Sequence, residues 1–277
     1  MKRIFTLCIA LCTIMTAFAQ TDSTATKAPE GDTIRVGGLI IIRKPGSKGR
    51  EILHDKEYHY HNRRGDKPSN LSTNWWIVDI GFANYTDDSN YPAAVTSGFV
   101  TPGVGKEQMK LKTGKSRNVN LWFFMQKLNV ASHILNLKYG LGLELNNYHF
   151  DENVVFVKNP TQISLSADDI KKKKLAADYL TVPLMLNLNF TPRRKNGFGL
   201  SAGISAGYLY SARYKTKNDG DVHKVKDDFD LERFKLSYIG EIALGPVRLY
   251  GSLAMKNMWE KGLDMTPYNF GFRLSNW

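Results

Sequence analysis

Residues 135–146 read LNLKYGLGLELN. Leu135, Leu137, Tyr139, Leu141, Leu143 and Leu145 share one parity, while Asn136, Lys138, Gly140, Gly142, Glu144 and Asn146 share the other. A repeat of two belongs to a strand, whose successive side chains point to opposite faces; a helix would gather every third and fourth residue instead. Seven further stretches alternate in the same way, at 74–85, 118–127, 179–190, 197–210, 234–244, 247–256 and 268–274 or beyond. Each can reach the roughly 9 to 11 residues that a tilted membrane-spanning strand needs.

The apolar parities are Trp76, Val78, Ile80 and Phe82; Val119, Leu121, Phe123 and Met125; and Leu180, Val182, Leu184, Leu186 and Leu188. Phe198, Leu200, Ala202, Ile204, Ala206 and Tyr208 follow, then Leu236, Tyr238, Ile242 and Leu244. Val247, Leu249, Leu253 and Met255, and finally Tyr268, Phe270, Phe272 and Leu274, complete the set. No lysine, arginine or acid falls on these faces, whereas the opposite parities carry Asn118, Asn120, Gln126, Asn187, Asn189 and seven charges. Those charges are Asp79, Glu144 and Glu241 with Lys138, Lys235, Arg248 and Arg273, a candidate lumen network in which every buried ion would need a partner.

Parity alone does not choose between a membrane barrel and a soluble sandwich or lipocalin-like barrel with its apolar faces inward. The connections do. Residues 127–134, 190–197 and Gly245-Pro246 are short, whereas 86–117, 151–178, 211–233 and 257–267 are long, and all the long ones fall at one end. Short periplasmic turns, long extracellular loops and an even strand number are the rule for outer-membrane barrels. The sequence therefore predicts an all-β fold, an antiparallel up-and-down transmembrane β-barrel of eight strands, preceded by a periplasmic segment. Trp75, Trp76, Trp122, Tyr148, Tyr179, Tyr210 and Trp277, near predicted strand ends, would suit interfacial aromatic girdles.

The strand at 178–190, DYLTVPLMLNLNF, resembles the Tyr-Leu-x-Ile/Val-Pro-Leu strand of the PorT-like outer-membrane β-barrel proteins, and the likeness extends over about 74–277. It implies outer-membrane location and, as an alternative role, an accessory of transport or protein secretion. Pro183 has no N–H for the sheet, so a bulge is expected there. Trp277 leaves the outward parity that ends at Leu274, which points to an irregular final turn.

At the N-terminus, Lys2 and Arg3 precede an apolar run at 4–15 and Ala17-Phe18-Ala19, the pattern of a secretory signal peptide over 1–19. Cys8 and Cys12 are the only cysteines and would leave with it, so disulfides, thiolate metal sites and a cysteine nucleophile are not expected. Beyond it no apolar run is long enough for a spanning helix, and mean hydropathy is -0.34. Residues 20–32 read as a flexible linker and 33–73 as a periplasmic segment, with a strand at 33–43, a turn at 44–50 and a second strand at 51–61, a hairpin or plug that could meet a periplasmic protein partner. The barrel then occupies 74–277. His59 and His61 share a strand parity near His54, but two imidazoles without a third ligand read as polar surface, so no metal is expected.

The chain carries a net charge of +12; without Lys2 and Arg3 the 38 basic residues become 36 against 26 acidic, or +10. Partners should be anionic, and export argues against nucleic acid despite a pI near 9.5. Ser166 to Asp169 resembles a capping box ahead of Lys171, Lys172, Lys173 and Lys174, so one reading is a short basic helix with outer-membrane lipid, above all lipopolysaccharide phosphates, as its natural partner, and the plainer reading is a solvated charged loop. His149 with Asp151, and His223 with Asp221 or Asp227, are the candidate catalytic pairs, but neither has a nucleophile at a defined spacing. No cofactor and no catalysis are expected; a small barrel with a closed or narrow lumen, serving envelope structure or surface interaction, is the first reading, and an outer-membrane enzyme acting on lipid or peptide is the last.

Overall fold

The structure, a computed structural model, describes residues 33–36, 39–42, 69–192, 194, 197–218 and 221–275. Two short strands, β1 (Thr33–Val36) and β2 (Leu39–Ile42), pair antiparallel in a sheet of their own. The register sets Val36 opposite Leu39 and Thr33 opposite Ile42. The single strand expected at 33–43 is corrected to a hairpin within that stretch. The expected signal peptide, the linker, the strand at 51–61 and His54, His59 and His61 lie outside the described residues.

The second unit runs through β3 (Leu71–Asp87), α1 (Tyr91–Thr96), β4 (Arg117–Ala131), β5 (Leu135–His149), β6 (Val154–Val157), β7 (Gln162–Leu165) and β8 (Lys172–Asn189). It continues with β9 (Phe198–Asn218), β10 (Asp221–Lys226), β11 (Phe234–Leu244), β12 (Val247–Ala254) and β13 (Met265–Leu274). Strands β3, β4, β5, β8, β9, β11, β12 and β13 pair in that order, all antiparallel, and β13 returns to β3, closing an eight-stranded ring. Closure removes every unpaired sheet edge within the ring. β6 and β7 pair with each other in a long connection, and β10 extends the ring only as a partner of β9.

The outward parity is the apolar one: Val182, Leu184 and Leu186 on β8, Leu200 and Ile204 on β9, and Phe270 and Phe272 on β13 are all exposed. Among the described residues no helix is long and apolar enough to cross a membrane. Three expectations change inside this frame. A register shift between Trp122 and Phe124 adds a residue to β4, so Met125, expected outward, is buried in the lumen beside Ile77, Trp122 and Met185. Trp122, Tyr148 and Tyr179 are buried inside rather than in a girdle, whereas Trp75, Trp76 and Tyr210 are exposed; Trp277 lies outside the described residues. No bulge marks Pro183: it sits opposite Ser205 of β9, and the β5–β8 ladder simply skips Gly140 and Leu141 while keeping its register.

At the long-connection end the ring carries an apolar core of its own. Phe156 of β6 stacks on Trp259 with centroids 5.8 Å apart, and also meets Phe150, Tyr214 and Phe229. Phe99, beyond α1, meets Trp259 edge-on at 5.7 Å. Backbone bridges Val100 to Ile163, Leu111 to Phe150 and Leu231 to Trp259 tie the connections together. The expected basic helix is corrected as well: Lys172, Lys173 and Lys174 open β8, with Lys171 just before it. Alternation explains this, because Lys173, Leu175 and Ala177 turn into the buried side.

Candidate functional site

The inward parity of the ring converges on three carboxylates. Asp79 stands opposite Arg273 in the β13–β3 register, and the guanidinium grips it bidentately, Nε to Oδ1 and Nη2 to Oδ2, both at 2.7 Å. This fork geometry matches a carboxylate and fixes both partners. The remaining capacity of Asp79 is filled by Trp122 Nε1–H at 2.7 Å and Asn120 Nδ2–H at 3.1 Å. Arg273 also donates through Nη1 to Glu241, which accepts from Lys138 at 2.7 Å and Arg248 at 3.3 Å on its other oxygen.

The third carboxylate, Glu144, pairs with Lys235 and accepts from Asn146 at 3.0 Å and Asn269 at 3.1 Å. Asn146 accepts in turn from Asn118 at 2.9 Å, and Asn118 from the Tyr250 hydroxyl at 2.6 Å. Both the Lys138–Glu241 and the Lys235–Glu144 pairs join β5 to β11, strands that are not neighbours in the ring, so these side chains reach across the lumen. Every one of the seven residues is buried, Asp79 completely. Burial on that scale is tolerable only because each charge meets an opposite charge and further hydrogen bonds. Two remaining hollows, one beside Lys138 and Arg248 and one beside Glu144 and Arg273, measure about 40 and 30 Å³. Each has room for about two or three water molecules.

The structure thus brings Asp79, Lys138, Glu144, Lys235, Glu241, Arg248 and Arg273 together in one lumen. Sequence reasoning missed the part of Trp122 and Tyr250. Trp122 shares parity with Asn118 and Asn120, and Tyr250 with Arg248, which is the signal that could have placed them inward. Room for the indole comes from Gly142, where a Cβ would lie 2.7 Å from Trp122 Cε3.

Lys171 to Lys174 lie elsewhere. Lys172 and Lys174 share the outward parity of Leu180 but stand beyond it, past the apolar band. Lys171, Lys172 and Lys173 line a hollow of about 370 Å³ with Lys112, Lys115, Arg117 and His149. Burial, and then the charges of Lys174, Lys172, Lys115 and Lys112, hold the His149 imidazole down to about 4. Asp151 pairs with Lys112 instead of His149, and His223 is exposed on β10. Among the described residues no group of three or more His, Cys, Asp or Glu side chains is placed to hold a metal ion.

A family model described as outer membrane protein beta-barrel domain matches residues 83–256, more than half of the chain. No curated protein matches it.

Proposed function

The chain belongs to the outer membrane protein β-barrel domain family, and from that premise we propose that it is a non-conducting, non-catalytic outer-membrane barrel. Its lumen is closed, its short turns face the periplasm, its long connections face outward, and its work is envelope structure or surface interaction. Residues 1–19 serve as the cleaved signal peptide. One observation carries the reading: Arg273 joins Asp79 to Glu241, which also holds Lys138 from across the lumen. Eight strands leave an interior that side chains can fill, and here those side chains are bonded to one another. The apolar core at the outer end, with Phe156 against Trp259, supports closure at a second level. Against catalysis stands the setting of His149, which lies among lysines with Asp151 engaged elsewhere.

Planar bilayers containing the refolded protein test this. The expected record stays at the baseline of the protein-free membrane; long-lived, discrete conductance steps like those of a general porin would reject the closed lumen.

A second reading, an accessory of transport or secretion in keeping with the PorT-like strand at 178–190, draws support from the β1–β2 hairpin, a folded element in the segment before the barrel. Deleting residues 33–61 should then leave a folded barrel and impair a secreted cargo. Unchanged secretion in that deletion would remove this reading.

A further inference from the structure

Strands β8, β9 and β10 run on together past the apolar band, and their outward face is cationic rung after rung. Lys172 stands opposite Lys217; Lys174 stands opposite Lys215, which stands opposite Lys224; Arg213 stands opposite Lys226. The alternate residues, Leu175, Ala177, Ala212, Tyr214 and Val225, pack into the apolar core of the outer end. The parity is therefore fixed from inside, and the basic side chains have no choice but to face outward together.

Like charges directly opposite in a strand pair destabilise it, so three consecutive rungs of this kind are costly to the protein standing alone. Asp178 offsets one charge by pairing with Arg213, and Lys174 bonds the neutral Asn147 Oδ1 at 2.7 Å. Among the described residues, Lys172, Lys215, Lys217, Lys224 and Lys226 make no ion pair. The lattice adjoins the hollow at Lys115, Arg117 and His149, where the Arg117 guanidinium lies 4.6 Å over the ring of outward-facing Phe82. Burial first, and then the neighbouring cations, lower the proton affinity of Lys174 and His149.

Height selects the counter-ion. Lys174 lies six residues beyond Leu180, the last exposed leucine of β8, a rise of about 15 Å for a strand tilted by roughly 40°. A phospholipid headgroup layer is only about 5–7 Å deep. A phosphorylated sugar headgroup reaches further. We propose that the outward face of the β8–β9–β10 extension docks the phosphates of an outer-leaflet glycolipid. This deepens, and rests on, the reading of the chain as an outer-membrane barrel with its long connections outward.

The test uses the full protein refolded in nanodiscs of phosphatidylcholine, with rough lipopolysaccharide as the probe and its dephosphorylated form as control; native mass spectrometry counts what stays bound. Wild-type protein should retain the phosphorylated glycolipid and release the dephosphorylated one. The triple variant Lys174→Gln/Lys215→Gln/Lys224→Gln should bind roughly a hundredfold more weakly, since each surface cation adds about fivefold at an anionic lipid surface. It should still show a heat-dependent mobility shift, which separates lost docking from lost folding. Equal retention by the triple variant, or of the dephosphorylated glycolipid, would overturn the proposal. Soluble polyphosphate binding as tightly in lipid-free micelles would overturn the lipid source and assign the surface to a free polyanion. Absence of the heat shift in wild type would sink the barrel reading along with it.

Discussion

Two halves of one sheet obey opposite rules. In the half nearer the short turns, Asp79, Glu241 and Arg273 point inward while Leu184, Leu200 and Phe272 point outward. In the half nearer the long connections, Leu175, Ala212 and Tyr214 are inside, and Lys172, Lys215 and Lys224 are outside. The inversion happens within single strands. On β9 it falls at a register shift between Asp178 and Tyr179 of its partner, where β9 carries Tyr210 as an extra residue between Leu209 and Ser211. A bulge re-phases the strand, so the new parity begins there. The comparison teaches that a strand's polarity follows what surrounds it, lipid or water, and not its place in a chain.

The comparison breaks most severely at Glu241. Replacing it by leucine leaves Lys138, Arg248 and Arg273 facing one another in the lumen, and loss of one partner from a buried ionic site costs about 3–5 kcal/mol. We expect Glu241→Leu to abolish the compact, heat-shifted band on gels, while Ile242→Leu, one residue away and outward, leaves it. A smaller effect comes from Leu184→Arg in the band facing lipid, about 2–4 kcal/mol in a urea titration of the reconstituted barrel; the mirror change Lys215→Leu in the basic half should cost the barrel nothing measurable. Phe156→Ala empties the centre of the outer core, where it touches Phe150, Tyr214, Phe229 and Trp259. Such a truncation costs about 3–5 kcal/mol locally, so external protease should cut within 151–171 while the ring stays intact.

The smallest effect is protonation of His149. Its folded value of about 4 lies below the ordinary 6.5, so the unfolded chain takes up the proton first as the solution is acidified. Its contribution to stability is complete above pH 6.5 and is lost as pH falls from 6.5 to 4. Removing a neighbouring cation with Lys174→Gln should raise the imidazole value read by NMR, and an unchanged titration would detach His149 from the lysine field.

The membrane half was legible because two-residue alternation fixes which side chains share a face, and that is enough to put Asp79, Lys138 and Arg273 in one lumen. Which of them bond is set by register and reach, and sequence does not carry that; Arg273 meets Asp79 through the β13–β3 pairing and Glu241 beyond it. The register shift in β4 was equally silent, and it is why Met125 turned inward. The outer half was misread for a different reason. Four lysines in a row hide alternation, since Lys173 differs from its neighbours only in direction, and a capping-box signal at Ser166 outweighed it. The aromatic core there is built from segments far apart in sequence, such as Phe99, Phe156 and Trp259, none with a period of its own.

The inversion itself can be measured along β9. With Cys8 and Cys12 replaced by serine, single cysteines at 200, 204, 208, 213, 215 and 217 would carry a spin label in the reconstituted barrel, each read for collision with oxygen, which concentrates in lipid, and with a water-soluble nickel chelate. The account predicts lipid exposure at 200, 204 and 208 and aqueous exposure at 213, 215 and 217, with the change at Tyr210. Uniform lipid exposure through 217, or aqueous exposure at 200 and 204, would contradict it.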